Sequence, residues 1–196
     1  MYAKEKFRGA PFLESSQLDI WDMTSESIVV NRDEAEGNPF YQQLVSYTLI
    51  FNPDKKKIFL GQRLSGENRL VNSYCLGFGG HVNDFDIDPS FKNNVFEITA
   101  ERELREELNI KKKNLNLNLL GFCRDLNSST PDHIGAIYLL LAASITVKEK
   151  DTLTGKWVSY EDVISNYYYK LDSWSRYSFD HIYEHPGLRK LLNFSE

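Results

Sequence analysis

Between Ala100 and Ile110 the chain reads Ala-Glu-Arg-Glu-Leu-Arg-Glu-Glu-Leu-Asn-Ile, with no glycine or proline. Strong helix formers fill this stretch, so it is expected to be helical. Phe96, Ala100, Leu104 and Leu108 recur every four residues and give the helix a stripe to bury. Glu103, Glu106 and Glu107 are spaced i, i+3, i+4, which gathers their carboxylates on one face beside that stripe. Three neighbouring anions repel one another, and a fold held by packing alone would disperse them. A hard divalent cation with oxygen ligands, Mg2+ or Mn2+, turns the cluster from a cost into a site. The plain account of several glutamates on a helix is a solvated charged face, so the flanking sequence has to decide.

Upstream stands Gly79-Gly80-His81-Val82. A glycine pair lets the backbone pass close to a ligand. With these glycines in view, Arg102-Glu103-Leu104-x-Glu106-Glu107-x-Asn109-Ile110 resembles the second half of the Nudix hydrolase signature, G-x5-E-x7-R-E-U-x-E-E-x-G-U, where U is aliphatic. Asn109 replaces the second glycine. Gly79–Val82 resembles the opening of the signature. Thirteen residues separate Gly80 from Asn94, which is expected to stand where the family has its first Glu. An eight-residue insertion in the loop before the helix accounts for the difference.

The resemblance implies an α/β/α sandwich with a mixed sheet. It implies hydrolysis of the pyrophosphate bond of a nucleoside diphosphate linked to another moiety, with Mg2+ or Mn2+ as cofactor. The metal ligands would be Glu103, Glu106 and Glu107. Arg102 would orient a Glu of the cluster through a charge-assisted hydrogen bond, and Glu106, Glu107 and Arg102 would form the catalytic set. Gly79, Gly80, His81, Arg63 and Arg69 are the candidate substrate contacts. More narrowly, Gly66-Glu67-x-Arg69-Leu70, the Gly-Gly-His-Val run and Ser173-Trp174-Ser175 resemble a Nudix branch described as predicted phosphoesterases. A second reading is a module of the same fold that binds a nucleotide metabolite without turnover. Asn94, Asn109 and the insertion are what favour it.

The formal charge of −5 and the lack of a basic tract argue against a nucleic acid polymer as partner. A small, metal-complexed nucleotide derivative suits an acidic chain better. Cys75 and Cys123 form no metal-ligand or disulfide pattern and read as reduced core residues. Met1–Ala10 lacks the apolar region of a signal peptide, and Ile134–Ala143 is too short to span a bilayer. A cytoplasmic location without membrane contact is therefore expected. A homodimer is compatible with the sequence but not specified by it.

Read in order, residues 1–37 form an N-terminal extension, with a short strand expected at Ile28–Val30, and 38–196 form the catalytic domain. Strands are expected at Leu44–Phe51, Lys57–Arg63, Tyr74–Phe78, Leu115–Leu119 continuing toward Arg124, and His133–Ser144, the last one central. The loop Asn83–Asn94 carries Asp84, Asp86 and Asp88. Its aspartates lack the Gly and Glu of a calcium loop, so a lid or a surface loop is expected, with the acidic residues disfavouring extra phosphates. Ser159 is expected to cap a helix after Trp157-Val158, and a further helix to run from Asp172 to about Glu184, where Pro186-Gly187 ends it.

Overall fold

The computed structural model describes residues 7, 10–25, 27–36, 38, 40–65, 73–87, 95–111, 114–124, 133–148 and 150–192. Eight strands join one mixed sheet: β1 (Phe12–Glu14), β2 (Gln43–Asn52), β3 (Lys57–Arg63), β4 (Tyr74–Cys75), β5 (Gly77–His81), β6 (Leu117–Cys123), β7 (His133–Leu141) and β8 (Leu153–Ser159). The main path is β1-β6-β7-β2-β3-β4, with β5 also on β2 and β8 also on β3. The sheet is organised around β2. It runs parallel to β7, from Gln43 opposite His133 to Phe51 opposite Leu141. Its other edge is shared: β5 takes Val45–Leu49 and β3 takes Phe51 and Asn52.

The α-helices among the described residues are α1 (Ile20–Thr24), α2 (Arg32–Ala35), α3 (Val95–Glu107), α4 (Tyr160–Asp162), α5 (Ser173–Glu184) and α6 (Pro186–Leu191). Side chains alternate along β2, so one strand feeds both faces. Tyr47, Leu49 and Phe51 meet Phe179 and Ile182 of α5 on one side. On the other, Ile50 packs with Leu104 of α3, and the Ser46 hydroxyl donates to the Phe96 carbonyl of the same helix. The result is an α/β/α sandwich, with α3 and the N-terminal residues Leu18 and Met23 on one face and α5 on the other.

The structure departs from expectation at the N-terminus and at the end of the acidic helix. Ile28–Val30 forms no strand, and Ile28 and Val29 are 67% and 63% exposed. A short run that buries so little gains less than ordering it costs. The N-terminal strand is instead β1, antiparallel to β6, with Leu13, Leu18 and Met23 joining the core beside Phe96. Helix α3 starts at Val95 and ends at Glu107; Leu108 leaves it for a β-bridge to Val147 yet stays buried. No helix among the described residues is long and apolar enough to cross a membrane.

Candidate functional site

Helix α3 presents Arg102 toward the loop that follows β5, and the guanidinium has five acceptors there. Its Nε and Nη2 donate to the two oxygens of Asp86, both at 2.8 Å. Nη1 donates to Glu103 at 2.6 Å and to Glu106 at 3.2 Å. Nη2 also donates to the carbonyl of His81 at 2.9 Å. Asp86 is 2% exposed and closes a 3-10 turn over Asp84–Asp86. It further accepts from the Asn83 amide at 2.9 Å and the Thr99 hydroxyl at 3.0 Å. Burial pushes its carboxyl up, but the bonds from Arg102, Asn83 and Thr99 outweigh this and hold it below the usual Asp range. Gly80 faces the cluster: a Cβ there would sit 2.6 Å from a Glu103 oxygen. The glycine therefore lets a carboxylate lie against the strand backbone.

No protein-family model matches the chain. Protein YmaB of Bacillus subtilis is 36% identical over 159 residues, which cover 77% of this chain and 76% of that one. The chain belongs to the same family as YmaB. Among solved structures, Tm1382, a candidate Nudix hydrolase, superposes with a TM-score of 0.72 at 23% identity, over 98% of this chain and 96% of its own. DR0079 from Deinococcus radiodurans gives 0.58 at 16% identity, covering 82% and 96%. The Nudix domain of Shewanella oneidensis NrtR, in complex with ADP ribose, gives 0.55 at 18%, covering 79% and 98%. The fold is the Nudix fold.

Within that fold the assignment of Asn94 to the first acidic position is corrected. Five residues separate Gly80 from Asp86, the spacing the signature requires, and Asp86 is the residue bound to Arg102. Asn94 itself lies outside the described residues. The insertion thus falls after the acid. Between Asp86 and Val95, where α3 begins, lie the eight residues 87–94, and from Val95 to Glu101 there are seven before Arg102. The missed signal was the distance forward from Gly80; counting backward from Arg102 crosses the insertion. Asp86 also ceases to be a charge aimed at substrate, because it is buried and paired. Asp84 accepts from the Phe85 amide, and Asp88 lies outside the described residues.

The other expected residues divide. Glu106 has a 54% exposed side chain and Glu103 a 15% exposed one, both held by Arg102. Glu107, half-buried, is within electrostatic reach of Arg63, the last residue of β3. Burial disfavours the Arg63 charge, but Cys75, Glu107, Tyr47 and Asp172 around it more than offset that. Gly79 packs against the Ser46 carbonyl, where any side chain would collide. His81 gives its carbonyl to Arg102, while its ring contacts His133, Nε2 to Nε2 at 3.0 Å. Arg69 and the Gly66–Leu70 motif lie outside the described residues. Asn109 has an explanation: its side chain donates to Thr146 and Val147 and its amide to the Thr146 carbonyl, so it closes the C-terminal end of α3. Its φ is not positive, so the backbone there does not demand glycine.

Among the described residues no group of three or more His, Cys, Asp or Glu side chains converges as a ready metal cluster. The donor set nevertheless suits a hard cation. Burial pushes the Glu103 carboxyl up; Arg102 opposes this, and Glu106 and Asp86 add to it. A cation would relieve that repulsion, and the space left by Gly80 admits a carboxylate close to the backbone.

Proposed function

We propose that this protein is a metal-dependent hydrolase that cleaves the pyrophosphate bond of a nucleoside diphosphate linked to another moiety. The observation that carries the reading is the Arg102 network, in which one guanidinium anchored on buried Asp86 holds Glu103, beside Gly80, and Glu106. In this reading Glu103, Glu106 and Glu107 hold Mg2+ or Mn2+. The metal, when bound, neutralises the phosphate oxygens and lowers the pKa of bound water. The chain's own part is positioning. Arg102 fixes two carboxylates with charge-assisted bonds. Arg63 offers a cation to the bridge near Glu107, and Gly79-Gly80 let the phosphates approach the backbone. Residues 38–196 are the hydrolase domain in this reading, with 1–37 packed on it as an extension.

A domain of this fold binds ADP ribose in NrtR, which gives a binding module without turnover as the second reading. One experiment separates the two. A panel of ADP ribose, nucleoside diphosphate sugars and nucleoside triphosphates is incubated with Mg2+ or Mn2+, and product is followed. The hydrolase reading expects turnover of at least one diphosphate conjugate, lost about 100-fold or more in Glu106→Gln with the thermal melt unchanged. Binding without product in every case overturns it in favour of the module.

A further inference from the structure

Two of the three proposed ligands, Glu106 and Glu107, stand in the last turn of α3. A helix leaves its last four carbonyls without partners of its own, and the turn frays unless something outside takes them. Here they belong to Leu104, Arg105, Glu106 and Glu107. The Leu108 amide takes the first at 3.0 Å. Two of the other three go to a single residue. The Lys148 amide donates to the Glu107 carbonyl at 2.8 Å, and the Lys148 ammonium donates to the Arg105 carbonyl at 3.2 Å. These bonds bracket Glu106. Asn109 stands where a left-handed glycine could have closed the helix, and its φ is not positive, so that form of cap is absent. The ammonium also faces the negative end of the helix dipole.

The segment that supplies Lys148 is itself fixed. Leu108 and Val147 form an antiparallel bridge, beside which the Asn109 amide donates to the Thr146 carbonyl at 2.8 Å. The Asn109 side chain adds bonds to the Thr146 hydroxyl at 3.2 Å and the Val147 carbonyl at 3.3 Å. Ile145 and Val147 are buried with Leu104 and Leu108. The Val147 side chain lies over Gly155 of β8, where a Cβ would come within 2.9 Å of it. The frame that grips the helix end is therefore part of the core, and the exposed Lys148 side chain reaches back from it. A carboxylate on a frayed turn samples many positions, whereas a hard cation needs its oxygen ligands to converge. Arg102 holds the Glu106 carboxylate from one side at 3.2 Å. Lys148 holds the backbone beneath it from the other.

We propose that Lys148 is a positioning residue for the metal site: it fixes the backbone of the last turn of α3, and through it the carboxylates of Glu106 and Glu107. It acts through that backbone rather than as a ligand. The inference rests on the reading of Glu103, Glu106 and Glu107 as ligands of Mg2+ or Mn2+. It gives a role to a lysine that lies outside the acidic motif, 41 residues beyond Glu107 in sequence.

The test reads metal affinity rather than turnover. Mn2+ is titrated into the metal-free full chain and free Mn2+ is followed by electron paramagnetic resonance, while amide hydrogen exchange is measured by NMR. Lys148→Met keeps the apolar stem and removes the ammonium. It should weaken Mn2+ about ten-fold and speed exchange at Leu108 and Asn109, with the thermal melt within a few degrees of wild type. Lys148→Arg should restore both. A lowered melt with Mn2+ affinity unchanged would make Lys148 an ordinary helix cap and overturn the proposal, as would a loss that Lys148→Arg does not repair. Should Lys148→Met not fold, the wild type decides. A turn fixed in advance protects Leu108 and Asn109 equally with and without Mn2+, and a large gain of protection on binding overturns the proposal. Glu106→Gln separates this inference from the metal reading. If that variant binds Mn2+ as tightly as wild type, the metal reading fails and the Lys148 role falls with it. If Glu106→Gln weakens Mn2+ and Lys148→Met does not, the metal reading stands and only the Lys148 role is lost.

Discussion

Asp86 shows how one carboxylate can serve both the fold and the site. It is buried, it accepts two bonds from one guanidinium, and through Arg102 it reaches Glu103 and Glu106. Replacing it with Asn keeps the shape and removes the charge, leaving the Arg102 guanidinium without its main counter-ion. The expected cost is about 3 kcal/mol, read as a lower urea midpoint, together with a fall in turnover because Arg102 no longer fixes the two glutamates. The pH dependence has a definite sign. The folded-state pKa of Asp86 is depressed, so its stabilisation is fully present above the ordinary Asp value of about 3.9 and disappears as pH falls through the folded value. The stability gap between wild type and Asp86→Asn should therefore be largest above about pH 5 and narrow on further acidification. A gap that stays constant down to pH 2 would mean that the charge of Asp86 contributes nothing. The residue was legible in the sequence in principle, because its distance from Gly80 is the family's own. It was obscured because the acid is Asp rather than Glu and an insertion follows it.

At the scale of elements, the loop and the end of α3 each make a prediction. Residues 87–94 lie between the Asp86 turn and the first residue of the helix, and removing them would restore seven residues between the acid and Arg102. Phe85 and Ile87, at the loop's described edge, are 70% and 42% exposed, and the Arg102 guanidinium lies 5.2 Å from the Phe85 ring. Deleting 87–94 should leave the melt within a few degrees of wild type and metal affinity intact, while the KM for the preferred substrate rises. Collapse of the fold would show instead that the segment spans a distance the shorter loop cannot close. At the far end of α3, Asn109 stands where the signature has Gly. Asn109→Gly would remove its bonds to Thr146 and Val147 and loosen the unfolded-state balance, costing about 1–2 kcal/mol. Activity per folded molecule should not improve, and an increase would mean that Asn109 does hold the enzyme back. The helix and most strands could be read from periodicity because their patterns are local. β1 could not, since a three-residue strand has too few positions to show alternation and exists only because β6 offers an edge.

Over the whole molecule, the connection between layers was the least legible feature. Local pattern predicts that His133–Ser144 is a central strand; it does not tell that β7 runs parallel to β2, ninety residues back in sequence, because such pairing is set by tertiary packing. The same holds for the polar cluster that ties α5 to the sheet, where Tyr47 bonds Asp172 and Ser175 from 125 and 128 positions away. Burial pushes the Asp172 carboxyl up, and the bonds from Ser175 and Tyr47 only partly offset this. Its linkage is therefore opposite to that of Asp86: a raised folded pKa adds stability below the unfolded value and withdraws it as pH rises through the folded one. Asp172→Asn keeps a good N-cap for α5 and removes a buried charge. Measured against it, the wild type should lose ground as pH rises from about 3.5 toward neutrality, the reverse of the comparison with Asp86→Asn. Tyr47→Phe, which takes a donor from that carboxylate, should cost about 1–3 kcal/mol at neutral pH and less in acid, where Asp172 is protonated. Urea midpoints of the three variants at pH 3, 5 and 7 would decide the matter. Parallel trends for the two aspartate variants would show that the Asp172 carboxylate is solvated, and that packing alone joins α5 to the sheet.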